Sequence, residues 1–294
     1  MKKFFALFAG ILFLLLGVIG LILPILPGWV FFFIGLSFIA PDFAHRLKQR
    51  FLRRFVKKEI VYCEHWRSPA VRAGFTTRRF PLVLKKTDDL LDPVNQAALR
   101  ASLPISSKYV FLNQVHGATI SALEKKEDFL QERFYHLTQT DAAVTCLPGL
   151  VLVVLTADCL PVFFCAGGWV GLAHAGWRGT REKIAPKTFK LLLEKSACGP
   201  EDIHVMLGPC IGKRNYEVGG EFEGYFPASS LFRKNGKLHL DLAGENKRQL
   251  QEAGVLRRNI FDTGICTVEE NEDFYSFRKE RDSAGRTISF ITKL

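Results

Sequence analysis

Leu150 to Gly179 reads LVLVVLTADCLPVFFCAGGWVGLAHAGWRG. Its opening run, Leu150 to Leu155, is apolar, β-branched and too short for a buried helix, which predicts a strand covered on both faces. Val162 to Cys165 predicts a second strand, and Trp169 to His174 a third, entered through the Gly167-Gly168 turn. Reactive side chains gather where these runs end. Thr156-Ala157-Asp158-Cys159 follows the first run, and His174-Ala175-Gly176-Trp177-Arg178-Gly179 closes the third. Strands that deliver their terminal side chains to one rim of a sheet commonly build a site there.

Outward from this stretch, Tyr109 to Val115 predicts another strand, ending in Gln114-Val115-His116-Gly117. Thr180 to Lys195 predicts a helix, Ile203 to Leu207 a strand, Asp241 to Ala253 a capped helix, and Arg286 to Thr292 a final strand. The alternation predicts a single mixed α/β domain over residues 66–294, with no internal repeat.

His116, Cys159 and His174 are ligand-type residues at three of these ends. Two imidazoles and a thiolate make a three-ligand tetrahedral set with a fourth position open, as expected of a catalytic zinc rather than a structural one. Their spacing matches no zinc-finger register, so the residues alone leave a second reading open. In that reading Cys159 is a thiolate nucleophile and His174 its base. Asp158, next to a ligand, is placed to orient a histidine or shuttle a proton. The seven cysteines are odd in number and lack framework spacing, which suits reduced thiols in a cytosolic compartment.

The formal charge of +11 would point to nucleic acid or an anionic membrane, and its distribution decides between them. Phe4 to Pro41 holds no charged residue, and Asp42 to Glu59 carries seven Lys/Arg against two acids. Phe4 to Leu23 is long enough to cross hydrocarbon as a helix; Pro24, Pro27 and Gly28 interrupt it, and Trp29 to Ala40 resumes. A membrane helical hairpin over residues 1–41 is expected, because the apolar region is too long for a signal peptide and lacks a cleavage site. Phe43, Leu47, Phe51 and Phe55 then recur every four residues among basic positions, so residues 42–65 read as a basic amphipathic helix and linker. Basic residues flank both ends of the apolar segment, which places the large domain in the cytoplasm. Nothing here implies base readout, and no nucleic-acid partner is expected.

The strings NQVHGATI, TDAAVTCLPGLVLVVLTADCLPVFF, VGLAHAGWRGT, LGPCIGKRNYEVGGEF and YSFRKERDSAGR resemble, in order and spacing, the YfiH family of laccase-domain proteins, historically called polyphenol oxidases. The resemblance runs from about Ala73 to Leu294. It implies an α/β fold related to the cytotoxic necrotizing factor cysteine hydrolases, and zinc on His116, Cys159 and His174. The N-terminal GVIGLILPILPGWVFFFIGLSFIA resembles small Pro-Gly-Trp membrane proteins, a less specific match. Laccase chemistry itself is disfavoured: copper clusters of that type draw on several His-x-His pairs, and none of the seven histidines here are two apart. The resemblance instead implies purine nucleoside activity, namely phosphorolysis of adenosine, inosine and methylthioadenosine, with adenosine deamination. Phosphate then needs a guanidinium, for which Arg178 is the first candidate, with Arg278 and Arg286 behind it.

The chain departs from the family in one region. Arg79-Phe80-Pro81-Leu82 follows Thr77-Arg78 directly where a Gly-Gly-Val-Ser loop is usual, Gln96 stands after Asn95 in place of Arg, and Arg214-Asn215 replace a frequent Cys pair. Substrate preference is the property this affects. A membrane-attached amidase acting on a cell-wall precursor, and a non-enzymatic adaptor with a vestigial site, are the alternative classes.

Overall fold

Side chains along Leu150–Thr156 sort into two cores: Leu150, Leu152 and Val154 pack in one, Val151, Val153 and Leu155 in another. That alternation is the period of a strand buried on both faces, and it sets the layering. The computed structural model describes residues 58–63, 70–103 and 108–294. In chain order the elements are β1 (Ile60–Tyr62), β2 (Val71–Thr76), α1 (Pro93–Ser102), β3 (Lys108–Leu112), β4 (Ile120–Leu123), β5 (Phe134–Leu137), β6 (Ala142–Thr145) and β7 (Leu150–Thr156). They continue with β8 (Leu160–Ala166), β9 (Trp169–Ala175), α2 (Trp177–Arg181), α3 (Ile184–Ser196), β10 (His204–Leu207), β11 (Leu231–Lys234), β12 (Lys237–Leu240), α4 (Leu242–Glu252), β13 (Ile260–Asp262), α5 (Phe277–Glu280) and β14 (Thr287–Lys293).

Two six-stranded mixed sheets result, β1-β2-β14-β7-β3-β5 and β13-β10-β8-β9-β6-β4, with β11-β12 as a separate hairpin. Val110, Leu152 and Val154 of the first sheet meet Phe163, Val170 and Leu172 of the second in the core between them. The outer face of the first sheet is covered by Phe80, Leu82, Leu84 and Leu90, and by Leu99 of α1. Ile184, Phe189 and Leu192 of α3, with Leu242 and Leu250 of α4, cover the outer face of the second. This is a mixed α/β architecture, as the sequence predicts.

Two local expectations need correction. The helix expected over Thr180 to Lys195 is two helices, broken at Lys183, whose φ of 62° is left-handed. Pro186 has no N–H to return to Glu182, so the first helix cannot run through and a new one starts at Ile184. The linker expected up to residue 65 contains β1, which pairs antiparallel with β2 in the register Ile60↔Thr76; the folded unit begins at Lys58.

Among the described residues no helix is long and apolar enough to cross a membrane. The hairpin expected at Phe4 to Pro41 and the basic helix at Phe43 to Val56 lie outside the described residues.

Candidate metal centre

The C-terminal ends of β3, β7 and β9 share one rim with the N-terminal ends of β8 and β14, as the pairings Leu160↔Ala175 and Thr287↔Thr156 require. His116 follows β3, Cys159 sits in the short crossing from β7 to β8, and His174 is the penultimate residue of β9. The sequence separates them by up to 58 positions; the sheets bring their ligand atoms within 4.8 Å of one another. Among the described residues this is the one group of His, Cys, Asp or Glu that can hold a metal ion.

Asp141, just before β6 and fully buried, organises the set. Its Oδ1 stands 2.9 Å from Nδ1 of His174, which leaves Nε2 of that ring as the ligand atom. The same carboxylate accepts the backbone N–H of Val115, His116 and Gly117 at 3.1, 3.0 and 2.8 Å. Those bonds hold His116 at a φ of 62°, a conformation that a non-glycine residue adopts only when its surroundings over-determine it. Burial by itself pushes the Asp141 carboxyl up, but its bonds to His174 and to the Gly117 and Val115 amides hold it below the usual range.

Burial also pushes the Cys159 thiol up; the His174 charge and hydrogen bonds from His116 and His174 outweigh it and bring the thiol down to about 6. Burial lowers His174 in turn, and the thiolate and the Asp141 bond reverse this, raising it to about 9. Without a metal the pair is thus thiolate and imidazolium, chemistry that suits a soft metal ligand or a nucleophile.

Gly176 supplies a test of fit. A Cβ there would lie 3.1 Å from Cys159 Sγ, 3.4 Å from Cδ2 of His116 and 3.8 Å from Cε1 of His174. The backbone at Gly176 has an ordinary extended φ of −71°, so it is space and not conformation that favours glycine here. Three ligands converging on a spot cleared of side chain, one of them oriented by a carboxylate through its far nitrogen, is the build of a metal site with its supporting shell.

The ligands line a cleft of about 490 Å³, together with Asp158, Tyr216, Phe277, Arg278 and Arg286. Of the two roles the sequence offers Asp158, orienting a histidine is not the one its bonds serve. Its carboxylate accepts the Thr267 hydroxyl and the Arg278 backbone N–H, both at 2.6 Å, and Asp141 holds the histidine instead. Asp158 has a φ of 92°, so the crossing that carries Cys159 is strained beside the site. Arg178 is exposed, stacks on Trp177 at 4.4 Å and is not part of the cleft lining. The sequence placed it near the site by counting from His174, but α2 turns its side chain away. Arg278 does line the cleft, with its guanidinium donating to the Glu217 and Asn215 carbonyls above the Tyr216 ring. Arg78 secures the segment carrying Phe277 and Arg278, through an ion pair with Glu280 and a hydrogen bond to the Phe274 carbonyl.

The family described as multi-copper polyphenol oxidoreductase laccase matches residues 86–293. Purine nucleoside phosphorylase YfiH of Escherichia coli (strain K12) is 38% identical over 205 residues, covering 67% of this chain and 79% of that protein. The purine nucleoside phosphorylase of Deinococcus radiodurans is 36% identical over 239 residues, covering 76% of this chain and 89% of its own. The crystal structure of YlmD from Geobacillus stearothermophilus superposes with a TM-score of 0.70 at 30% identity, over 81% of this chain and 97% of that one.

Proposed function

We propose a purine nucleoside phosphorylase activity for this chain, which belongs to the family described as multi-copper polyphenol oxidoreductase laccase. The observation that carries the reading is the convergence of His116, Cys159 and His174 in the lining of the cleft, in a chain whose relatives bear that enzyme's name. A divalent ion on this donor set, zinc by the softness of a thiolate with two imidazoles, supplies Lewis acidity beside the substrate. Copper-cluster oxidation is not part of the proposal, because the histidine spacing does not provide its ligands.

In phosphorolysis the bond from C1′ to the base nitrogen breaks, a bond from C1′ to a phosphate oxygen forms, and the base leaves with a proton. The cleft volume suits a small-molecule site, typically about 300–1,000 Å³. Tyr216, Phe277, Ile211 and Leu242 give it an aromatic and apolar wall for the base. Burial raises the Tyr216 phenol, so it stays protonated and offers a hydrogen bond to the departing base. Asp158, in the same lining, fixes the Arg278 backbone that carries part of this wall. Adenosine deamination is the finer part of the proposal: water replaces the C6 amino group, ammonia leaves, and Tyr216 and Asp158 are proton-handling side chains in the same cleft lining.

Anchoring through Phe4 to Pro41, with the catalytic domain on the cytoplasmic side, belongs to the same proposal. The charge map and seven free thiols support it. The lowered Cys159 thiol beside His174 favours one other reading, a metal-independent cysteine hydrolase. Metal-loaded chain incubated with inosine, with and without phosphate, separates them. Hypoxanthine and ribose 1-phosphate are expected only with phosphate present. Release of free ribose without phosphate, or no turnover at all, contradicts the phosphorylase.

A further inference from the structure

Two buried thiols that the metal centre does not use lie on the two segments that hold Asp158. Cys210 follows β10 and Cys266 follows β13, and neither is in a disulfide. The two strands pair in parallel, from Val205↔Ile260 to Leu207↔Asp262. Beyond them the pairing resumes at a parallel bridge, Cys210↔Cys266, after the β13 side has taken in one residue more, in the stretch where Gly264 has a φ of 61°. Cys210 donates its N–H to the Ile265 carbonyl at 3.2 Å, and its carbonyl accepts the Thr267 N–H at 3.0 Å. The cysteines therefore stand directly opposite one another, with their side chains on one face of the ladder. Paired strands lie about 4.7–4.9 Å apart, inside the Cα separation of about 4.4–6.8 Å that a disulfide spans.

The two sulfurs are held differently. Cys266 Sγ accepts the Gly212 N–H at 3.2 Å and a hydrogen from Asn215 Nδ2 at 3.3 Å, bonds that favour a thiolate. Cys210 Sγ donates to the Ile211 carbonyl at 3.6 Å, and burial, with Asp262 and Cys266 nearby, pushes its thiol well above the usual range. One sulfur is set up to react first, beside a partner that keeps its proton. A Cβ at Gly212 would meet Cys266 Sγ at 2.9 Å, so this side of the sulfur is closely packed and leaves little room for added oxygens.

The residues that follow the two cysteines reach the metal centre. Ile211 donates its N–H to the Asp158 carbonyl at 2.9 Å, and Thr267 donates its hydroxyl to Asp158 Oδ1 at 2.6 Å. Asp158 immediately precedes the ligand Cys159, and its Oδ2 fixes the backbone of Arg278 in the cleft lining. A bond drawn between Cys210 and Cys266 thus acts on a ligand and on the cleft wall together.

We propose that Cys210 and Cys266 are an oxidant-responsive dithiol that closes to a disulfide and, through Asp158, loosens the metal held by Cys159. With hydrogen peroxide as oxidant, the Cys266 sulfur attacks one oxygen: the S–O bond forms, the O–O bond breaks, and water leaves a sulfenic acid behind. The Cys210 sulfur then attacks that sulfur, the S–S bond forms, the S–O bond breaks, and the departing hydroxide takes the Cys210 proton as a second water. The thiols give up two electrons and two protons in all, and an external dithiol returns them. The device rests on the phosphorylase reading only for the activity it would regulate.

Full-length, zinc-loaded chain treated with hydrogen peroxide, then with dithiothreitol, tests this by peptide mapping and by zinc competition against a chelator. A Cys210–Cys266 cross-linked peptide, two hydrogens lighter than its parts, is expected after the oxidant and gone after the dithiol. Zinc affinity should fall about tenfold with the cross-link and recover on reduction. Cys210→Ala and Cys266→Ala should each form no cross-link and keep their zinc affinity through the same treatment. The cross-link is read in the parent chain, so the outcome stands even if an alanine at either buried position prevents folding. Absence of the cross-link, or a cross-link that leaves zinc affinity unchanged, overturns the proposal. So does an equal loss of zinc in both alanine variants, which would trace the loss to oxidation of Cys159 itself. Reversible cross-linking and zinc loss in a chain that never releases hypoxanthine from inosine would leave the dithiol standing and remove the phosphorylase.

Discussion

The Asp141 carboxylate stands 2.9 Å from Nδ1 of His174 and also accepts the N–H groups of Val115, His116 and Gly117, so one buried acid sets the position of two of the three ligands. Asp141→Asn keeps the shape and removes the charge. An amide cannot accept all four bonds, so the His116 loop loosens and His174 loses its fixed tautomer. Metal affinity should fall roughly 10- to 100-fold, as for other hydrogen-bond partners of ligating histidines. Competition against a chelator of known affinity measures this, and unchanged affinity would show that the ligands hold their places without the acid.

Gly176→Ala is a steric probe of the same centre. Its backbone tolerates alanine, but the new Cβ meets Cys159 Sγ at 3.1 Å. The expected outcome is a metal-free melting temperature close to that of the parent, with metal affinity down roughly tenfold. A variant that binds metal as tightly as the parent would mean that the three ligands do not converge where Gly176 clears space.

Protons released on metal binding report the charge state of the pair. With Cys159 near 6 and His174 near 9, the metal-free site at about pH 7.5 holds a thiolate and an imidazolium. A metal needs the imidazole neutral, so close to one proton should leave per ion bound. Affinity should rise with pH toward about 9, as His174 loses its proton, and fall as the thiolate is protonated below about 6. Zinc titration in weakly buffered solution followed by pH measures the release. Cys159→Ser should bind no stoichiometric zinc and release no proton; retained zinc in that variant would count against the ligand assignment.

Truncation tests where the folded unit begins. Thr77 donates from Oγ1 to the Lys58 carbonyl and from N to the Glu59 carbonyl, both at 2.8 Å. A chain starting at Lys58 should fold and bind metal. One starting at Ile60 should lose about 1 kcal/mol for each bond removed, read by urea denaturation. Failure of the longer form to fold would make residues 1–57 part of the catalytic unit.

Much of this was legible in the sequence because the buried strands are long and apolar: Leu150 to Leu155 and Trp169 to His174 reappear as parts of β7 and β9. The ligands were legible because Cys and His stand where such runs stop. Asp141 was not read as part of the site: it precedes the short Ala-Ala-Val-Thr strand rather than closing a long apolar run, and only sheet pairing places it against His174. Arg178 lies outside the cleft lining because His174 closes a strand and α2 starts only at Trp177, so counting residues from the ligand does not fix where the guanidinium goes.

We propose that the His116, Cys159 and His174 set is the working metal centre of a phosphorylase. The most direct measurement is phosphate-dependent hypoxanthine release from inosine by chelator-stripped protein, before and after one equivalent of zinc. Negligible release is expected before addition and full release after it, with Cys159→Ser silent in both states. Undiminished release by the stripped protein would contradict it.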